Sequence, residues 1–123
     1  MKKYTLVLSA LLMLLVACTQ SVNVKLDPEV TVFLSDASDK TMRLSEQNSE
    51  YVLLKEWLVT HKDNWLTTSG KYSGGVYLTS GEFGIQVTDS KVVLYTDITT
   101  TPTAIYAQEI ERSELKSLKM LGK

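Results

Sequence analysis

Cysteine occurs once in these 123 residues and histidine once. One cysteine excludes a disulfide within the chain, and one histidine leaves no partner for a paired-imidazole metal site. A basic excess is also missing. The 13 Lys and Arg face 14 Asp and Glu, dispersed without a block of either sign. That balance excludes nucleic-acid binding and electrostatic adhesion to anionic lipid, both of which need a positive field. No internal repeat, heptad run or low-complexity tract is present. Catalytic signatures are equally scarce. Gly-x-Ser-x-Gly does not occur, and Ser69-Gly70-Lys71 lacks the spacing of a phosphate loop. Long apolar runs are absent too: the longest, positions 6–17, has 12 residues with Ser9 as its one polar member. A helix needs about 20 apolar residues to cross the hydrocarbon core, so this run is too short for a permanent span.

What is there begins with that run. Lys2 and Lys3 precede it as a positive flank, and the small Ala17 closes it directly before Cys18. A charged start, a short apolar core and a small-residue end make a secretion signal. Leu15-Val16-Ala17-Cys18 resembles the lipobox of bacterial lipoproteins, a family of addresses rather than of folds. The resemblance implies cleavage before Cys18 and lipid on its sulfur and freed amine. Two or three acyl chains anchor a protein lastingly where one does not. Thr19 stands where family sorting rules place Asp for inner-membrane retention, so in a Gram-negative host the resemblance implies the periplasmic side of the outer membrane. No cofactor is implied.

Removing positions 1–17 leaves 106 residues, enough for one domain and too few for two. The leader takes two of the basic residues with it, so the remainder carries 11 basic against 14 acidic and is mildly acidic. Residues 18–21 read as a short lipidated tether and 22–123 as the domain. Val22, Val24 and Leu26 alternate with polar neighbours, as in a half-buried strand or an ordered leader, before Pro28 breaks the pattern. Positions 30–34 and 41–44 predict a hairpin around a turn rich in Ser and Asp. Helical spacing then places Tyr51, Leu54, Trp57, Leu58 and His61 on one face of a main helix over about 49–62, with Ser45 or Ser49 as its cap. Asn64 suits its end.

Three glycines mark 67–75 as an adaptable loop. Beyond it, 76–78, 83–87, 92–95 and 103–110 predict a meander of three or four antiparallel strands joined by tight turns. Both faces of 92–95 are apolar, which suits a central strand. Leu115, Leu118 and Leu121 predict a short closing helix over about 112–121. Helices segregated onto one side of an antiparallel sheet make an α+β domain.

Candidate chemistry is thin. His61 at a helix end reads as a ring steadied by the helix dipole. Asp36 and Asp39 lack the ligand spacing of a calcium loop. Glu109 and Glu111 share the alternation of a paired-carboxylate site but equally that of a solvated strand edge. The expectation is therefore a protein that is not an enzyme, holds no metal, and works by recognition. Aromatic groups beside adaptable backbone are enriched at binding surfaces, which singles out Trp65, Ser69, Lys71 and Tyr72, with Trp65 equally suited to seal the core. Ser69-Gly70-Lys71-Tyr72 also resembles, over four residues, the Ser-Gly-x-x-Tyr loop of periplasmic lysozyme inhibitors. It is one residue shorter and lacks that family's disulfide.

The functional expectation is a membrane-anchored, periplasm-facing lipoprotein with a protein partner, in its narrower form an inhibitor or immunity protein against a cell-wall hydrolase. The alternatives are an assembly factor of an outer-membrane complex and a carrier of small hydrophobic molecules.

Overall fold

A computed structural model describes residues 19–33, 40–69, 72–96 and 104–121. The predicted signal segment with Cys18, the 34–39 turn with Asp36 and Asp39, Gly70 and Lys71, the threonine-rich 97–103 loop and the last two residues lie outside the described residues.

Among the described residues eight strands and two helices follow in the order β1 (Thr19–Gln20), β2 (Glu29–Phe33), β3 (Thr41–Ser45), α1 (Ser49–Thr60), β4 (Trp65–Thr68), β5 (Val76–Ser80), β6 (Phe83–Val87), β7 (Lys91–Thr96), β8 (Ala104–Glu109) and α2 (Lys116–Met120). The strands form one antiparallel sheet ordered β1-β4-β8-β7-β6-β5-β2-β3. The α+β architecture, the 30–44 hairpin and the meander are all present. The sheet is wider than expected because β2 docks on β5 and β4 on β8, both through residues far apart in sequence.

Tight turns build the meander. Gly81, at φ 58°, begins the two-residue β5–β6 connection, where a primed hairpin turn requires a residue tolerant of positive φ. At the β6–β7 turn the Thr88 hydroxyl accepts the amides of Ser90 and Lys91. Strand alternation then divides the sheet into two faces. Leu44, Val32, Leu78, Ile85 and Leu94 lie on the inner face and are fully or almost fully buried. Tyr51, Leu54, Trp57 and Leu58 of α1 pack there with Trp65, and Leu115 and Leu118 close the same core.

The N-cap of the helix is Asn48, not Ser45 or Ser49. Asn48 has extended backbone, and its side-chain oxygen accepts the Ser45 amide rather than an amide of the helix. It ends at Thr60, with Asn64 turning the chain at φ 69°. Asn tolerates this left-handed conformation better than most residues do.

Residues 22–26 are an ordered leader, not a strand. The Val22 amide donates to the Lys62 carbonyl, the Asp27 amide donates to Ser80 Oγ at 2.8 Å, and the Tyr51 hydroxyl donates to the Asp27 carbonyl at 2.6 Å. Val24 and Leu26 are buried between these pins. Residues 19 and 20, expected as tether, instead form β1 against β4, pairing Thr19 with Leu66 and Gln20 with Trp65. The closing helix is shorter than expected, because Leu115 takes φ 55° and interrupts it. Among the described residues no helix is long and apolar enough to cross a membrane.

Candidate functional site

Alternation that sends Ile85 and Leu94 inward sends Gln86, Val93 and Tyr95 to the outer face. One row of that face runs Phe33, Tyr77, Gln86, Val93, Ala107 and Leu66 in register across six strands. Most of these side chains are apolar, and Val93 is fully buried although it points away from the core. Its cross-strand neighbour Gln86 is bonded to the glycine-containing segment that follows β4.

Gln86 holds that segment down. Its side-chain amide donates to the Tyr72 carbonyl at 2.9 Å and to the Gly74 carbonyl at 2.8 Å, and its oxygen accepts the Tyr95 hydroxyl at 2.7 Å. The Tyr72 and Thr68 hydroxyls share a hydrogen bond of 2.9 Å, and the Lys91 ammonium lies 4.8 Å from the Tyr72 ring centroid. A cation over an aromatic face at this range is attracted by the ring quadrupole. Gly75 makes the crossing possible. At φ 78°, a Cβ on it would lie 2.1 Å from the Val87 carbonyl oxygen.

The result is a clasp with a shallow cleft of about 220 Å³ beside it, lined by Leu66, Thr68, Tyr72, Lys91, Ala107 and Glu109 among others. Lys91 and Glu109 are cross-strand partners at one end, and Leu66, half exposed, lies near the other. Burial raises the Tyr95 phenol above its ordinary range, aided by the nearby Tyr77 and Tyr72, and burial alone raises that of Tyr77. At neutral pH the face therefore offers neutral hydroxyls, aromatic surface and one charge of each sign.

The four residues singled out by sequence do not form one surface. Trp65 points inward and is fully buried, so its side chain has no face to offer a partner. It meets Trp57 edge to face with centroids 5.8 Å apart, and among the described residues its indole nitrogen has no hydrogen-bond partner. Ser69 is exposed, Tyr72 is half-buried in the clasp, and Lys71 lies outside the described residues. Sequence reasoning missed Gln86, Lys91 and Tyr95. The available signal was the doubly apolar 92–95 run, which requires something to cover its outer side.

The remaining candidates have structural employment. His61 stacks on Trp57 at 4.2 Å, and its Nδ1 lies 2.9 Å from both the Trp57 carbonyl and the Thr60 hydroxyl. Glu109 ends β8, whereas Glu111 lies beyond the strand and gives its carbonyl to the buried Lys119 ammonium. That ammonium also donates to the carbonyls of Asp89 and Arg112. Among the described residues no group of three or more His, Cys, Asp or Glu comes together in the manner of a metal site. A second surface feature is a groove along the outside of α1, where Val52 and Val59 are exposed on either side of Lys55 and Glu56.

Compared with protein-family models, with curated proteins and with solved structures, the chain matches none of them.

Proposed function

We propose that this chain is a lipid-anchored envelope protein that acts by binding another protein, with Cys18 as the attachment point and the periplasmic side of the outer membrane as its place in a Gram-negative host. The observation that carries the binding role is the clasp. A tyrosine fixed by Thr68, Gln86 and Lys91 at the edge of an open cleft is an amphipathic contact whose ordering cost is met before a partner arrives. The cleft's paired charges, Lys91 and Glu109, add orientation rather than bulk affinity. In its narrower form the partner is a secreted cell-wall hydrolase that the clasp blocks.

A photo-crosslinking amino acid at position 72, in the full chain expressed in its own envelope, tests the reading. The expected result is one dominant protein adduct whose yield falls at least tenfold when Lys91→Glu is added. Adducts no more abundant than those from the same probe at Arg43, on the opposite edge of the sheet, would overturn it. Identification of the adduct by mass spectrometry then decides whether it is a hydrolase.

A further inference from the structure

The first described residue is already part of the sheet. Thr19 pairs with Leu66 and Gln20 with Trp65, the Ser21 hydroxyl donates to the Asp63 carboxylate, and the Val22 amide is bonded to Lys62. Cys18 is therefore bonded directly to a residue of the sheet. Antiparallel cross-strand neighbours lie about 4.5–5.5 Å apart, so Leu66 is that close to Thr19, the residue to which Cys18 is bonded. The headgroup layer on each side of a bilayer is itself about 5–8 Å deep. A lipid on Cys18 therefore fixes which edge of the domain meets the membrane.

That edge suits the task. Among the described residues Leu66 is one of the few large apolar side chains left exposed, at 50 %, and it stands on the outer face between Thr19 and Ala107, both smaller. An exposed leucine amid smaller neighbours is a projection, and beside an acyl anchor such a side chain gains by moving its methyl groups out of water at the headgroup boundary. The exposed side chains that alternate to the other face of this edge, Gln20 and Thr67, are neutral and polar, fit for the headgroup layer.

We infer that the β1–β4 edge rests on the phospholipid surface with Leu66 inserted at headgroup depth, so that the domain is held in one orientation. The inference rests on the lipoprotein reading and deepens it. Since Leu66 also lines the cleft beside Tyr72, the cleft lies next to the membrane surface, and the partner it admits is one lying against the membrane rather than one approaching from the open periplasm.

Leu66→Cys and Arg43→Cys variants of the full chain, processed in cells and placed in vesicles of phosphatidylethanolamine and phosphatidylglycerol, test this with a fluorescent label on the new thiol. Cys18, once acylated, takes no label. The expected result is a label at position 66 shielded several-fold from aqueous iodide and quenched by doxyl-labelled lipid, with the reverse at position 43. Equal iodide access at both positions in protein that floats with the vesicles would sink the orientation while leaving the anchor standing. Shielding at 66 without quenching from lipid would show that a second copy covers the edge, and would overturn the inference as well. Protein that stays in solution with an unmodified Cys18 would remove the anchor itself.

Discussion

Glu114 accepts a hydrogen bond from the Trp57 indole at 3.0 Å, and its carboxyl is held below the ordinary glutamate range. The indole bond is the largest cause, opposed by partial burial and assisted by the Glu111 backbone, His61 and Lys119. A depressed folded value means the unfolded chain binds this proton more readily. The contact's contribution is thus complete above the ordinary carboxylate range and disappears as pH falls through the folded value. Glu114→Gln, which keeps an acceptor but not the charge, is expected to cost about 1 kcal/mol at neutral pH and to flatten this part of the acid limb in urea titrations run across pH. At Gly75 the argument is steric. Gly75→Ala must move either its own backbone or the Val87 carbonyl, and a loss of about 2–4 kcal/mol in chemical denaturation is expected. Single residues differed in how openly they announced themselves. Asn64 did so, because a helix end wants a residue tolerant of positive φ. Asn48 and Gln86 did not: Asn48 turns its side chain back to the Ser45 amide instead of capping the helix, and Gln86 holds carbonyls of a segment 12 to 14 residues earlier.

The elements with their own periodicity were legible: the β2–β3 hairpin, α1, and the meander from β5 to β8. Those defined by remote partners were not. β4 reads Trp-Leu-Thr-Thr, with apolar residues on both faces and no alternation to declare it, and its neighbours β1 and β8 lie far away in sequence. Two residues make β1, too few for any pattern. The same dependence on remote partners hid the clasp, since a glycine-containing segment carries no mark of the amide that will hold it. Gln86→Leu tests that dependence. It removes the donor to two carbonyls and the acceptor for the Tyr95 hydroxyl, at a cost of about 1–3 kcal/mol. Limited proteolysis is expected to cut the variant within 69–75 well before the wild type, with the β2–β3 hairpin cut at an unchanged rate.

One core joins both helices, the ordered leader and strands from β2 to β7, and both tryptophans lie within it. A chain organised this way is expected to unfold as a unit. Tryptophan fluorescence and far-UV circular dichroism should give coincident denaturation curves; separated midpoints would mean that part of the sheet melts independently. The strand order has a kinetic side as well. From β5 to β8 each strand pairs with the next in sequence, whereas β2 and β4 must find partners across long intervening segments while α1 carries the chain from one margin of the sheet towards the other. Short-range pairing closes small loops and is entropically quick; long-range pairing is slow. The meander is thus the natural folding nucleus, onto which the hairpin, helix and leader condense late. Substitutions in the meander should slow refolding, while those in α1 should chiefly hasten unfolding.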